Sequence, residues 1–120
     1  MVTAWTFTIP GPPVPKARPR VIAGHTHTPK RTRVFEQLVH QLAMMAGVRA
    51  GAGPVSVTVA AFFPDRRQID LDNCLKAVVD GLVGAPVLSG DHWAAVPRMS
   101  ISGALDAANP RTVVTVEVVE

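Results

Sequence analysis

Nine residues, Val55-Ser56-Val57-Thr58-Val59-Ala60-Ala61-Phe62-Phe63, alternate apolar and polar at first and then stay apolar. This is the best strand in the chain, because β-branched and aromatic side chains suit a pleated, buried surface. Pro64 ends it, and the charged loop Asp65-Arg66-Arg67-Gln68 follows. A strand this hydrophobic carries whatever comes next to the end of a sheet, where active sites often lie. What comes next is Asp70-Leu71-Asp72-Asn73-Cys74-Leu75-Lys76. A helix is expected from about Asp72 to Leu82, with Leu71, Leu75, Val78 and Leu82 toward the core and the charged stripe outward. Gly84-Ala85-Pro86 stops it.

The rest of the chain supports a single α+β domain over residues 1–120, with two helices packed on one mixed β-sheet. Thr3–Ile9 alternates as a half-buried strand, and Arg20–Ile22 with Thr26–Thr28 could form a small hairpin about Ala23-Gly24-His25. Thr28-Pro29 reads as a helix start, threonine at the cap and proline at the first helical position. That helix should run from Lys30 to Ala46 and stop at Gly47, with Val34, Leu38, Leu42 and Met45 as its apolar stripe, joined by Phe35, Val39 and Ala46. Val87-Leu88 reads as a short strand, and Val96–Gly103 and Thr112–Val119 as two final strands joined by the Asp106–Pro110 turn.

With 48% hydrophobic and 18% charged residues the chain is a folded protein rather than a disordered one. No apolar run is long enough to span a bilayer, so no membrane partner is expected, and the N-terminus lacks a signal-peptide layout. Cys74 is the single cysteine, which fits a reducing cytoplasm and reads as a small buried side chain. Charge is distributed unevenly. Residues 1–35 hold Lys16, Arg18, Arg20, Lys30, Arg31 and Arg33 and no acid, whereas residues 36–120 hold six bases against nine acids. Basic residues bind backbone phosphates and carboxylates bind metals, so this split suits a metal enzyme acting on a polyanion; it equally describes a solvated basic arm. Arg31 and Arg33 lie in a first helical turn, where the dipole disfavours cations and a docked anion would relieve the conflict.

Asp70 and Asp72 flank a helix start, Asp72 and Lys76 are neighbours at i,i+4, and Asp80 falls one turn further on. Asp91 follows in the turn Ser89-Gly90-Asp91-His92. Hard divalent cations such as Mg²⁺ take carboxylate oxygens and leave room for water and phosphate, and a lysine can stabilise charge developing on phosphate. The ordinary reading has Asp70 as a helix cap, Asp72–Lys76 as a surface salt bridge and Asp91 as a turn residue. Spacing alone leaves both readings open. Trp93 could stack on a base or sugar, or pack in the core or a dimer interface.

The stretch Arg67-Gln68-Ile69-Asp70-Leu71-Asp72-Asn73-Cys74-Leu75-Lys76-Ala77-Val78-Val79-Asp80-Gly81-Leu82 resembles the core signature of the RusA-type Holliday-junction resolvases. Lys16-Ala17-Arg18-Pro19-Arg20 is similar to the family's early Lys-x-Arg-Pro-Arg element, so two motifs occur in the right order across nearly the whole chain. The resemblance implies a small homodimeric endodeoxyribonuclease of bacteria or their phages, cytoplasmic, that cuts four-way DNA junctions with Mg²⁺, Mn²⁺ being an expected substitute. It implies that Asp70, Asp72 and Asp91 bind the metal, that Lys76 is the catalytic base-bearing side chain, and that Asn73 and Asp80 support them. DNA contacts would come from Lys16, Arg18, Arg20, Lys30, Arg31, Arg33, Arg66 and Arg67. The chain departs from the family around Asp91, where the usual pair of aspartates is reduced to Gly90-Asp91. A junction-binding protein with feeble catalysis, or a nuclease acting on forks or flaps, are the alternatives.

Overall fold

Four strands form one sheet in the order β1 (Ala4–Pro10), β6 (Arg111–Val118), β4 (Val55–Phe63), β5 (Arg98–Leu105). The computed structural model describes residues 3–17, 20–27, 29–50 and 53–119, without the side chains of 20–22, 26 and 27. Between the sheet strands in sequence come the hairpin β2 (Arg20–Ile22) and β3 (His25–His27), then helix α1 (Lys30–Met45), and helix α2 (Leu71–Leu82) between β4 and β5. β6 pairs antiparallel with β1 and β4, whereas β4 and β5 are parallel and joined through α2. The sheet is therefore mixed and the domain α+β, as expected. Among the described residues no helix is long and apolar enough to cross a membrane.

β4 lies inside the sheet because its alternate residues Val55, Val57, Val59 and Ala61 are all buried. They join Phe7 and Ile9 of β1 and Val114 and Val116 of β6 under the two helices. The opposite face is polar and lies toward water. Thr6, Thr115, Thr58 and Ser100 stand opposite one another across all four strands. Thr6 and Thr115 share a hydrogen bond of 3.1 Å between their hydroxyls. This division is the usual alternation of a one-sided sheet, apolar inward and polar outward.

β5 and β6 are consecutive but do not pair, since β4 lies between them. The connection crosses the end of β4, where Asp106 N–H donates to the Phe63 carbonyl at 2.8 Å. Arg111 closes the turn by donating to Asp106 Oδ2 (2.8 Å) and the Asn109 carbonyl (2.9 Å), and its guanidinium stacks 3.9 Å from the Phe62 ring centre.

The helices bury Phe35, Val39, Val78 and Leu82 as expected, but the rest of each buried face differs. In α1 the buried positions are Thr32, Phe35, Val39 and Ala43, while Val34 and Met45 of the expected stripe are exposed. In α2 they are Cys74, Ala77, Val78, Val79, Gly81 and Leu82, with Leu71 and Leu75 only half-buried. Both shifts have one cause: the helices pack against each other as well as on the sheet. A Cβ on Gly81 would sit 2.8 Å from Val39 Cβ and 2.9 Å from the Glu36 carbonyl, so small residues mark the crossing. Pro29 is the N-cap of α1 rather than its first helical residue, and the expected Thr28 cap lies outside the described residues. Val87 and Leu88 are buried, and Leu88 makes only isolated bridges with Val83 and Gly84 instead of a strand.

Candidate active site at the start of helix α2

Helix α2 starts at Leu71, between the two aspartates, with Asp70 as N-cap in an extended conformation (ψ 124°). Asp70 makes no side-chain cap hydrogen bond, so its exposed carboxylate is not used for capping. Asp72 occupies the first turn, where the helix dipole favours an anion. Asp91 comes from the loop after α2. Buried Val87 and Leu88 anchor the loop on one side, and buried Ala95 and Val96 on the other. The backbone N–H groups of Ala95 and Val96 both donate to the His92 carbonyl, closing a tight turn beside Asp91.

Asp72, Lys76 and Asp91 line a cleft of about 300 Å³ together with Leu75, Val79 and Met99. Lys76 does not pair with Asp72, as i,i+4 spacing suggested. It donates forward to Asp80 Oδ1 (3.0 Å) and across to Asp91 Oδ2 (3.2 Å). Asp80, opposed by partial burial and reinforced by Asp91, raises the Lys76 pKa above its ordinary value, so the ammonium form is favoured. Lys76 and Asp91 are each about half exposed, and such a pair is worth at most about 1 kcal/mol. A divalent cation or a phosphate can therefore displace it.

Asp70 does not line this cleft. Among the described residues no three carboxylate, histidine or cysteine side chains are gathered about one point that could hold a metal ion. The backbone explains the separation of Asp70 from Asp72: one residue is extended and the other helical, so their side chains leave the chain in different directions. Cys74 is buried beneath this turn, and burial, with the charge of Asp70, pushes its thiol up to about 11. It is an inert core side chain, as expected from sequence.

The expected DNA-binding residues fall into separate groups. Lys30, Arg31 and Arg33 are exposed at the start of α1, where the first turn holds no acid. Arg66 and Arg67 are exposed on the loop before α2, with Arg67 N–H donating to Asp65 Oδ1 at 3.0 Å. Arg18 and the side chain of Arg20 lie outside the described residues. Lys16 is different in kind: it sits among acids, donating to Glu36 Oε2 (2.6 Å) and Asp80 Oδ2 (3.0 Å). Nothing in sequence spacing pointed to Glu36, which reaches the site only because α1 crosses α2. Trp93 is 82% exposed, which overturns the core reading.

The model of the family described as endodeoxyribonuclease RusA matches residues 10–117. Among curated proteins, the crossover junction endodeoxyribonuclease RusA of Escherichia coli (strain K12) is 32% identical over 85 residues, covering 70% of this chain and 71% of its own. The protein of the same name from Shigella sonnei (strain Ss046) is equally similar over the same share of both chains.

Proposed function

This chain belongs to the RusA family of endodeoxyribonucleases, and on that premise we infer that it is a junction-resolving endonuclease whose cleavage site is the cleft between α2 and the Asp91 loop. The observation that carries this reading is the meeting of Asp72 and Lys76 of α2 with Asp91, 15 residues beyond Lys76, around one open cleft. Carboxylate oxygens alone suit a hard divalent cation, Mg²⁺ or Mn²⁺, better than a soft one. Asp72 and Asp91 would hold it; Asp70, at the adjoining N-cap and outside the cleft, would serve as third donor only by turning its exposed side chain inward. When bound, the cation supplies an activated water and neutralises charge on the scissile phosphate.

Lys76 brings a fixed positive charge to the same cleft. Its ammonium is held by Asp80 and can leave Asp91 for a phosphate oxygen, stabilising charge that grows as the phosphodiester is attacked. The exposed bases Lys30, Arg31, Arg33, Arg66 and Arg67, with Arg18 and Arg20, would grip backbone phosphates and orient the junction without reading bases. A homodimer would present two such sites, which suits paired cuts in strands of like polarity.

The test uses a synthetic four-way junction with Mg²⁺. Asp70→Asn and Asp72→Asn should each lower the cleavage rate on the order of a hundredfold to a thousandfold while junction binding in EDTA persists. Cutting by both variants at the wild-type rate would sink the assigned site. The reduced Gly90-Asp91 motif favours a second reading, a junction-binding protein with feeble catalysis. Binding in EDTA with no nicking at any Mg²⁺ or Mn²⁺ level would favour that one.

A further inference from the structure

Three contacts dock the chain before the hairpin onto both helices. Lys16 N–H donates to the Asn73 carbonyl of α2 (2.8 Å), and Ala17 N–H donates to Oγ1 of buried Thr32 in α1 (3.3 Å). The Lys16 ammonium then lies between Glu36 of α1 and Asp80 of α2, with 21% of its side chain exposed. Burial alone would lower its pKa, yet the hydrogen bonds and charges of Glu36 and Asp80 together outweigh burial and raise it. A lysine that grips DNA must offer its ammonium to solvent. This one gives it to two carboxylates, themselves 22% and 19% exposed.

Asp80 uses its two oxygens differently: Oδ2 accepts from Lys16 and Oδ1 from Lys76. Glu36, Lys16, Asp80, Lys76 and Asp91 thus form a chain of alternating sign running from α1 into the cleft. We propose that Lys16 is a positioning residue for DNA cleavage, holding Asp80 where Asp80 fixes the Lys76 ammonium beside Asp91. The proposal rests on the reading of Lys76 and Asp91 as working groups. Without Lys16, the carboxylates of Glu36 and Asp80 face each other with no cation between them and move apart. Lys76, a long and half-exposed side chain, follows Asp80. A misplacement of about 1 Å at a reacting centre is enough to cost about a hundredfold in rate.

The experiment pairs cleavage at saturating junction with binding in EDTA over a salt series. Lys16→Gln should lower kcat by about tenfold or more, leaving Kd and the salt slope of binding at wild-type values. Lys16→Arg should restore most of the rate. Lys16→Gln with Asp80→Asn should be no slower than Asp80→Asn alone, because the two act as one unit. If Lys16→Gln does not fold, Lys16→Gln with Glu36→Gln, which strands no glutamate beside Asp80, replaces it with the same expectation. An unchanged kcat overturns the proposal. A salt slope reduced by about one would put Lys16 on a phosphate and overturn it as well. If Lys76→Ala and Asp91→Asn themselves cut at the wild-type rate, the reading of the site fails whatever Lys16 does.

Discussion

The two ends of α2 treat their charges differently. Toward the C-terminus, Asp80 accepts from both Lys16 and Lys76, and the helix presses against α1 through Gly81. At the N-terminus, Asp70 and Asp72 are exposed and have no side-chain partner among the described residues. The paired end is held in place from two sides. The unpaired end leaves two exposed anions, of which the helix dipole favours only Asp72, in the first turn. An uncompensated pair of carboxylates is where an external cation would have most to gain. On the proposed reading, positioning and metal capture occupy opposite ends of one helix.

That contrast predicts unequal stability effects. Gly81→Ala forces a Cβ against Val39 Cβ and the Glu36 carbonyl, neither of which is a flexible side-chain end. Overpacking should cost about 2 kcal/mol net, even after the gain of about 1 kcal/mol in helix propensity. Asp70→Asn should change stability by less than about 0.5 kcal/mol, since the exposed Asp70 side chain makes no cap hydrogen bond to lose. Urea unfolding of the two variants measures both. Equal losses at the two ends would remove the distinction.

Much of this division was legible in the sequence, and what was missed has a common source. The boundaries of β4, the course of α2, the small hairpin and the placement of Asp72 and Asp91 around one cleft followed from local pattern or from the family signature. The buried faces of both helices were only partly legible, because period alone cannot say which arc meets another helix; Phe35, Val39, Val78 and Leu82 were expected, whereas Thr32 and Gly81 are buried for reasons of close approach. Lys16 was expected on a phosphate, and its pairing with Glu36 and Asp80 was not foreseen because those acids are contributed by two different helices. Asp70 was expected in the same cluster as Asp72, and only the change from extended to helical backbone separates them.

Cation binding sharpens the comparison next. If Asp70, Asp72 and Asp91 take up a divalent ion, Mg²⁺ or Mn²⁺ at ten times its dissociation constant should stabilise the fold by about 1.4 kcal/mol. The shift should vanish in Asp70→Asn and Asp72→Asn and persist in Lys16→Gln. Thermal melts with and without the ion, at constant ionic strength, give the result. An equal shift in Asp72→Asn would mean that the ion binds elsewhere.

The smallest effect concerns the thiol beneath the unpaired end. The pKa of Cys74 is raised from 9.0 to about 11, first by burial and then by Asp70, so the folded state favours the neutral thiol. A group whose folded pKa is raised contributes stability that is complete below its unfolded value and is lost as pH climbs toward the folded value. Stability should therefore begin to fall above about pH 9. The ammoniums of Lys16 and Lys76 also have raised values, but their contribution starts to fade only above the ordinary lysine value of 10.5. Between 9.0 and 10.5 the thiol alone among these three groups drives the loss. Cys74→Ala should be less stable at neutral pH, because it leaves a small cavity, yet flatter than wild type over that window. Urea midpoints at half-unit pH steps test this. Identical slopes in the two proteins would mean that Cys74 ionises in the fold as easily as out of it.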